Sequence, residues 1–117
     1  MTRFTLLTAL AAAALVATQA EAQSAAPAGD PLKGSQKVQM CQGCHGIVGW
    51  RTAYPQTYGV PKIAGQHPTY IVAALKDYRG GQRSHPSMDA IAASLSDQDM
   101  ADIAAYYAQT PLQTAVK

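Results

Sequence analysis

Two stretches of the chain carry apolar residues at clear helical spacing. In 67–79, Ile71, Ala74, Leu75 and Tyr78 fall on one face, His67-Pro68 opens the segment and Gly80-Gly81 closes it, which predicts a helix. After Ser96 the same spacing returns in Met100, Ile103, Ala104 and Tyr107. Ser96-Asp97-Gln98-Asp99 ahead of them is a capping box with Asp in place of the usual Glu. A thinner stripe of Leu32, Val38 and Cys41 follows Asp30-Pro31, an N-cap with proline at the first helical position, and predicts a helix over 31–41. A short helix is expected over 89–95. Residues 43–66 are rich in Gly, Pro, Thr and Tyr without a sustained period, so they read as an ordered loop. No strand pattern competes and no internal repeat is present, so the expected fold is all-α.

The first fifth of the chain follows different rules. Arg3 precedes an alanine- and leucine-rich run over 4–17, and Ala20-Glu21-Ala22 offers small residues at a cleavage position. The run is shorter than the roughly 20 apolar residues of a spanning helix. It therefore predicts a signal peptide over 1–22, a flexible N-terminus over 23–29 and one domain over 30–117, in a protein that is exported to the periplasm and not integral to the membrane. Removing Arg3 and Glu21 leaves the net charge at +2, which gives no reason to expect nucleic acid as a partner. The distribution is uneven: seven Lys or Arg against two Asp over 23–83, then four Asp against Lys117 alone. Such a dipole can orient a protein toward an oppositely charged partner.

The two cysteines change the picture most. They are three residues apart, too close for a disulfide to close a useful loop, and a small domain needs some other source of core. Cys41-Gln42-Gly43-Cys44-His45 has the spacing of a c-type haem attachment site. Thiols one helical turn apart suit the two vinyl groups on one edge of a porphyrin, and the following imidazole is placed to reach the iron. A thioredoxin-like pair would need a strand before the motif, and a zinc site two further ligands; neither context is present.

With His45 as the proximal ligand, the sixth position has Met40, His67, His85, Met88 and Met100 as candidates. Met40 adjoins the attachment turn, Met100 belongs to the apolar stripe of the last helix, and His67 opens a helix. His85 and Met88 remain, in a segment between two helices, with Met88 favoured. A thioether there would raise the reduction potential, and two filled axial positions leave no site for substrate. The expected role is then electron transfer rather than catalysis.

The chain resembles the class I cytochromes c, and most closely the bacterial periplasmic group that includes each half of the dihaem cytochromes c4. The resemblance spans 29–109. Beyond the attachment motif it rests on Pro61 to Gln66, Tyr70, Tyr78 to Arg83, Pro86 to Met88, Leu95-Ser96-Asp97 and Ala105-Tyr106-Tyr107. It implies the class I cytochrome c fold, one covalent haem c on Cys41 and Cys44, and His45 and Met88 as ligands. It further implies a Pro61 carbonyl that orients His45, and a crossing of first and last helices at Gly34 and Tyr106. Trp50, Tyr54 and Tyr58 are candidates to line the haem, and Arg51 and Arg83 to pair with a propionate. Expected partners are redox protein donors and acceptors, such as a membrane oxidase or a periplasmic dehydrogenase. A second reading is a dedicated haem subunit of such a dehydrogenase. The chain departs from cytochrome c4 in having one attachment motif and about half the length.

Overall fold

The computed structural model describes residues 27–54 and 56–111. The signal peptide expected over 1–22 lies outside them, as do most of 23–29 and the end of the domain expected over 30–117. The elements in chain order are α1 (Pro31–Lys37), α2 (Gln39–His45), β1 (Arg51–Thr52), β2 (Tyr58–Gly59), α3 (Pro68–Arg79), α4 (Pro86–Ala93) and α5 (Asp97–Gln109). Among these helices none is long and apolar enough to cross a membrane.

Helix starts follow the local chemistry. The Asp30 side chain accepts from the Leu32 and Lys33 amides with Pro31 at the first helical position. Ser96 and Asp99 form the reciprocal capping box at α5, so the shorter Asp side chain closes it as Glu would. His67 and His85 stand just before Pro68 and Pro86 as N-caps without a side-chain cap bond. At the end of α3, Gly81 adopts φ 77, and the Gln82 and Arg83 amides both return to the Asp77 carbonyl.

Three expectations need correction. The helix predicted over 31–41 is two helices, because the chain breaks at Val38, which is 1 % exposed. Burying Val38 while α2 takes its own direction outweighs helix continuity, and α2 runs on through the attachment motif to His45. The loop over 43–66 holds a two-stranded antiparallel ribbon, Arg51 opposite Gly59 and Thr52 opposite Tyr58, too short to show alternation. The helix predicted over 89–95 starts at Pro86 and ends at Ala93, since proline at the first turn is a start signal that outranks the polar residues after it.

The core lies where α1 and α3 pack on α5, with α4 packed on α3. Val38, Ile71, Leu75, Leu95, Met100, Ile103, Ala104 and Tyr107 form one buried cluster, which places all four residues of the predicted α5 stripe inside but only Ile71 and Leu75 of the α3 stripe; Ala74 and Tyr78 are partly buried. Met100 is completely buried, a core residue as its place in the stripe predicts. The backbone of helix α2 approaches that of α1 alone, while its side chains reach further: Cys41 packs against the cluster and Gln42 Nε2 donates to the Tyr106 hydroxyl of α5 at 3.2 Å.

The acidic end of the chain is folded onto the basic part. Lys37 Nζ lies 2.6 Å from Asp99 and 2.7 Å from Asp102, while Asp97 takes Lys76 at 2.9 Å and Arg79 at 2.6 Å. Asp102 is fully buried, and its carboxylate also accepts from the Asp30 amide at 2.9 Å and Gln98 Nε2 at 2.8 Å. The Asp30 amide first and Lys37 second hold its pKa down at about 2. A buried carboxylate is tolerable only with this kind of full compensation. Asp97, Asp99 and Asp102 of the acidic end are thereby paired with Lys37, Lys76 and Arg79 of the basic part.

Gly34 is the buried residue of α1, and α1 rests on α5 there. A Cβ at Gly34 would sit 2.1 Å from the Asp102 carbonyl oxygen and 2.9 Å from the Tyr106 Cβ. Backbone cannot yield as a side-chain tip can. Gly34→Ala is therefore expected to destabilise at or beyond the upper end of the roughly 1–3 kcal/mol typical of overpacking. Thermal unfolding of the two proteins side by side checks this.

Candidate haem-binding site

Cys41 and Cys44 are three apart within α2, so their side chains share one face of the helix, one turn apart. Both thiols are free. Cys41 packs against the core cluster, and burial pushes its thiol pKa up; Cys44 is exposed. His45 is the last residue of α2, and its Nδ1 lies 2.7 Å from the Pro61 carbonyl oxygen. A carbonyl only accepts, so Nδ1 carries the hydrogen and donates. That choice of tautomer leaves the Nε2 lone pair available to a metal.

These groups open onto one hollow of about 1240 Å³, part of it continuous with solvent. Cys41, Cys44, His45 and Pro61 border it on one side, and α3, α4 and α5 contribute Ile71, Leu75, Met88, Ile91 and Ile103. Because the backbone of α2 comes close to neither α3 nor α4, the hollow is what lies between Cys44, His45 and Met88. Met88 is half-buried and packs on the core cluster. It stands in the first turn of α4, not in an inter-helix segment as the spacing predicted, so the helix holds its backbone.

The other ligand candidates separate by position. His85 borders the same hollow, and its Nδ1 is buried with no hydrogen-bond partner. Met40 borders it at the attachment turn and is half-exposed. His67 lies outside it and pairs its Nδ1 with Thr69 Oγ1 at 2.7 Å.

Of the aromatic and basic candidates, Tyr58 and Arg83 border the hollow, whereas Trp50, Tyr54 and Arg51 do not. Tyr70 and Tyr78, on α3, also line it. The α3 periodicity had put Tyr78 on the apolar face; Tyr70 lies off that stripe, and nothing in the local pattern marks it as a lining residue.

The donor set suits haem c: two free thiols one turn apart, an imidazole held in the metal-binding tautomer, and a mostly apolar wall surface. A helical domain with this hollow and this attachment turn is a c-type cytochrome domain. The cytochrome c family model matches residues 32–111. Over 91 residues the chain is 44 % identical to cytochrome c4 of Thiocapsa roseopersicina, covering 76 % of this chain and 45 % of that protein. It is 43 % identical over 83 residues to cytochrome c-554(548) of Halomonas halodenitrificans, covering 68 % of this chain and 95 % of that one. The crystal structure of reduced recombinant cytochrome c4 from Pseudomonas stutzeri superposes with a TM-score of 0.58 at 35 % identity, over 72 % of this chain and 47 % of that one. The chain belongs to the cytochrome c family, with the class I fold, and carries covalently bound haem c in a single domain that resembles one domain of cytochrome c4. It spans less than half the length of that cytochrome c4 relative.

Proposed function

We propose that this protein is an exported, periplasmic carrier of single electrons, with the haem on Cys41 and Cys44, His45 and Met88 as axial ligands, and the Pro61 carbonyl orienting His45. When bound, the haem supplies an iron that alternates between ferric and ferrous states. The observation that carries the reading is that Met88 and His45 border one hollow from helices that do not touch each other. Each side chain has its own support, His45 in its bond to Pro61 and Met88 in its packing on the core. Fixed ligands mean little movement on electron transfer, and a filled sixth position gives substrate no place to bind. The thioether favours ferrous iron more than a second imidazole would. Partners are then redox proteins, one giving and one taking the electron.

The test is an optical redox titration of the protein recovered from the periplasmic fraction, with its mass measured alongside. The expected result is a chain beginning at Gln23, heavier by one haem, that titrates as a single one-electron wave. Ready binding of carbon monoxide by the reduced protein would instead indicate an open iron, and would replace the carrier by a sensor or an enzyme.

A further inference from the structure

The last turn of α5 reaches the surroundings of His45 twice, through two neighbouring residues. Pro111 has no N–H, so the Tyr107 carbonyl lacks the helix partner it would otherwise find four residues on. That carbonyl takes the Gly65 amide at 2.8 Å and the Thr110 amide at 3.2 Å. Gly65 belongs to a tight turn in which the Gln66 amide donates to the Ile63 carbonyl at 3.1 Å. It stands at φ 72, a left-handed conformation that glycine adopts freely, asparagine tolerates and alanine resists. Ile63 packs on the core cluster, and Pro61, two residues earlier, gives its carbonyl to His45. The Tyr106 hydroxyl, for its part, accepts from Gln42 Nε2 at 3.2 Å, and Gln42 lies three residues before His45 in α2.

These contacts close a ring. From His45 it runs to Pro61, along the loop to Gly65, across to Tyr107 and Tyr106, and through Gln42 back into α2. A second hollow of about 730 Å³, part of it continuous with solvent, is lined by Gln42, His45, Lys62, Ala64, Tyr106 and Tyr107. Side chains do not fill the space between the end of α2, the loop and α5. The separation of α2 from the loop is therefore set by the hydrogen bonds of the ring more than by packing.

We propose that the last turn of α5 positions the imidazole of His45: the Tyr106 hydroxyl through Gln42, and the Tyr107 carbonyl through Gly65, set how closely His45 Nδ1 meets the Pro61 carbonyl, and through it the reduction potential. The inference rests on the haem reading, with His45 as an axial ligand, and adds what tunes that ligand. A short Nδ1–H bond to a carbonyl makes the imidazole more basic, and a more basic ligand favours ferric iron. Loosening either tie lengthens the bond and moves the balance toward ferrous iron. Tyr106 and Gly65 are thus positioning residues, neither of them lining the hollow assigned to the haem.

The experiment measures reduction potential, exchange of the His45 Nδ1 proton by nuclear magnetic resonance, haem mass and thermal midpoint in wild type, Tyr106→Phe, Gly65→Ala and Gly65→Asn. Tyr106→Phe removes only the hydroxyl and is expected to shift the reduction equilibrium about twofold toward the ferrous state, roughly 18 mV. Gly65→Ala, forced out of the left-handed region, should shift it about threefold the same way, roughly 28 mV, with faster exchange of the Nδ1 proton in both. Gly65→Asn should stay near wild type, because asparagine keeps the backbone conformation. Lower midpoints with unchanged potential and proton exchange in Tyr106→Phe and Gly65→Ala would mean that the ring only braces the fold, and would overturn the proposal. An equal shift in Gly65→Asn would overturn the part assigned to the turn. Should Gly65→Ala fail to fold, Tyr106→Phe alone decides. A wild-type chain without the haem mass would defeat the underlying reading instead, which is a separate result.

Discussion

Replacing Cys41 and Cys44 together by Ala is expected to give an exported chain with no covalent haem and almost no cooperative unfolding transition. The reason is the composition of the core. The buried cluster is small for a domain of this length, and most of it belongs to the α1, α3 and α5 junction. Helix α2 has no buried residue and brings its backbone near α1 alone, with Cys41 against the cluster and the Gln42 to Tyr106 bond as side-chain ties to the rest. It therefore has little of its own to hold it against the roughly 1–2 kcal/mol per residue of backbone entropy lost on folding. Domains this small bury a low fraction of their surface, and the two thioethers proposed for Cys41 and Cys44 would tie α2 to the group that completes the interior. Far-ultraviolet circular dichroism and mass measurement decide the matter: a haem-free variant with full helical signal and a sharp melt would show that the protein core suffices.

Met88→Ala is expected to have the opposite pattern, with haem retained and the iron altered. The cysteines are untouched, so attachment survives. Met88 packs on the cluster from the first turn of α4, and truncating it costs about 2–5 kcal/mol if the site does not collapse. Loss of the thioether should abolish the weak far-red absorption band and lower the reduction potential by more than one tenfold step in the equilibrium constant, each about 59 mV. His85 sharpens the test, because it borders the same hollow with a buried nitrogen lacking a partner. If His85→Ala rather than Met88→Ala removes the band, the ligand assignment passes to His85. An unchanged spectrum in both would exclude the pair.

Local chemistry made much of this protein legible. The starts of α1, α3 and α5 are written in Asp30-Pro31, His67-Pro68 and the Ser96–Asp99 box, because side-chain caps and a proline at the first helical position act within the first turn. The stripe of Met100, Ile103, Ala104 and Tyr107 announced a buried face for the same reason. Pro86 carries an equally local signal for the start of α4, three residues ahead of the start expected at 89. The β1 and β2 ribbon could not be read, since two residues a side carry no period.

The sequence by itself determined the candidate attachment turn, since two thiols and an imidazole within five residues share one turn of helix whatever surrounds them. Only the tertiary structure decided what faces them. It brought Pro61 to His45, set Arg83 rather than Arg51 on the wall of the hollow, and paired the acidic end of the chain with Lys37, Lys76 and Arg79. Such pairings join residues between 16 and 65 positions apart, as His45 to Pro61 and Lys37 to Asp102 do. Spacing along the chain says nothing about them, because they depend on how helices cross and on which charges the crossing leaves without water.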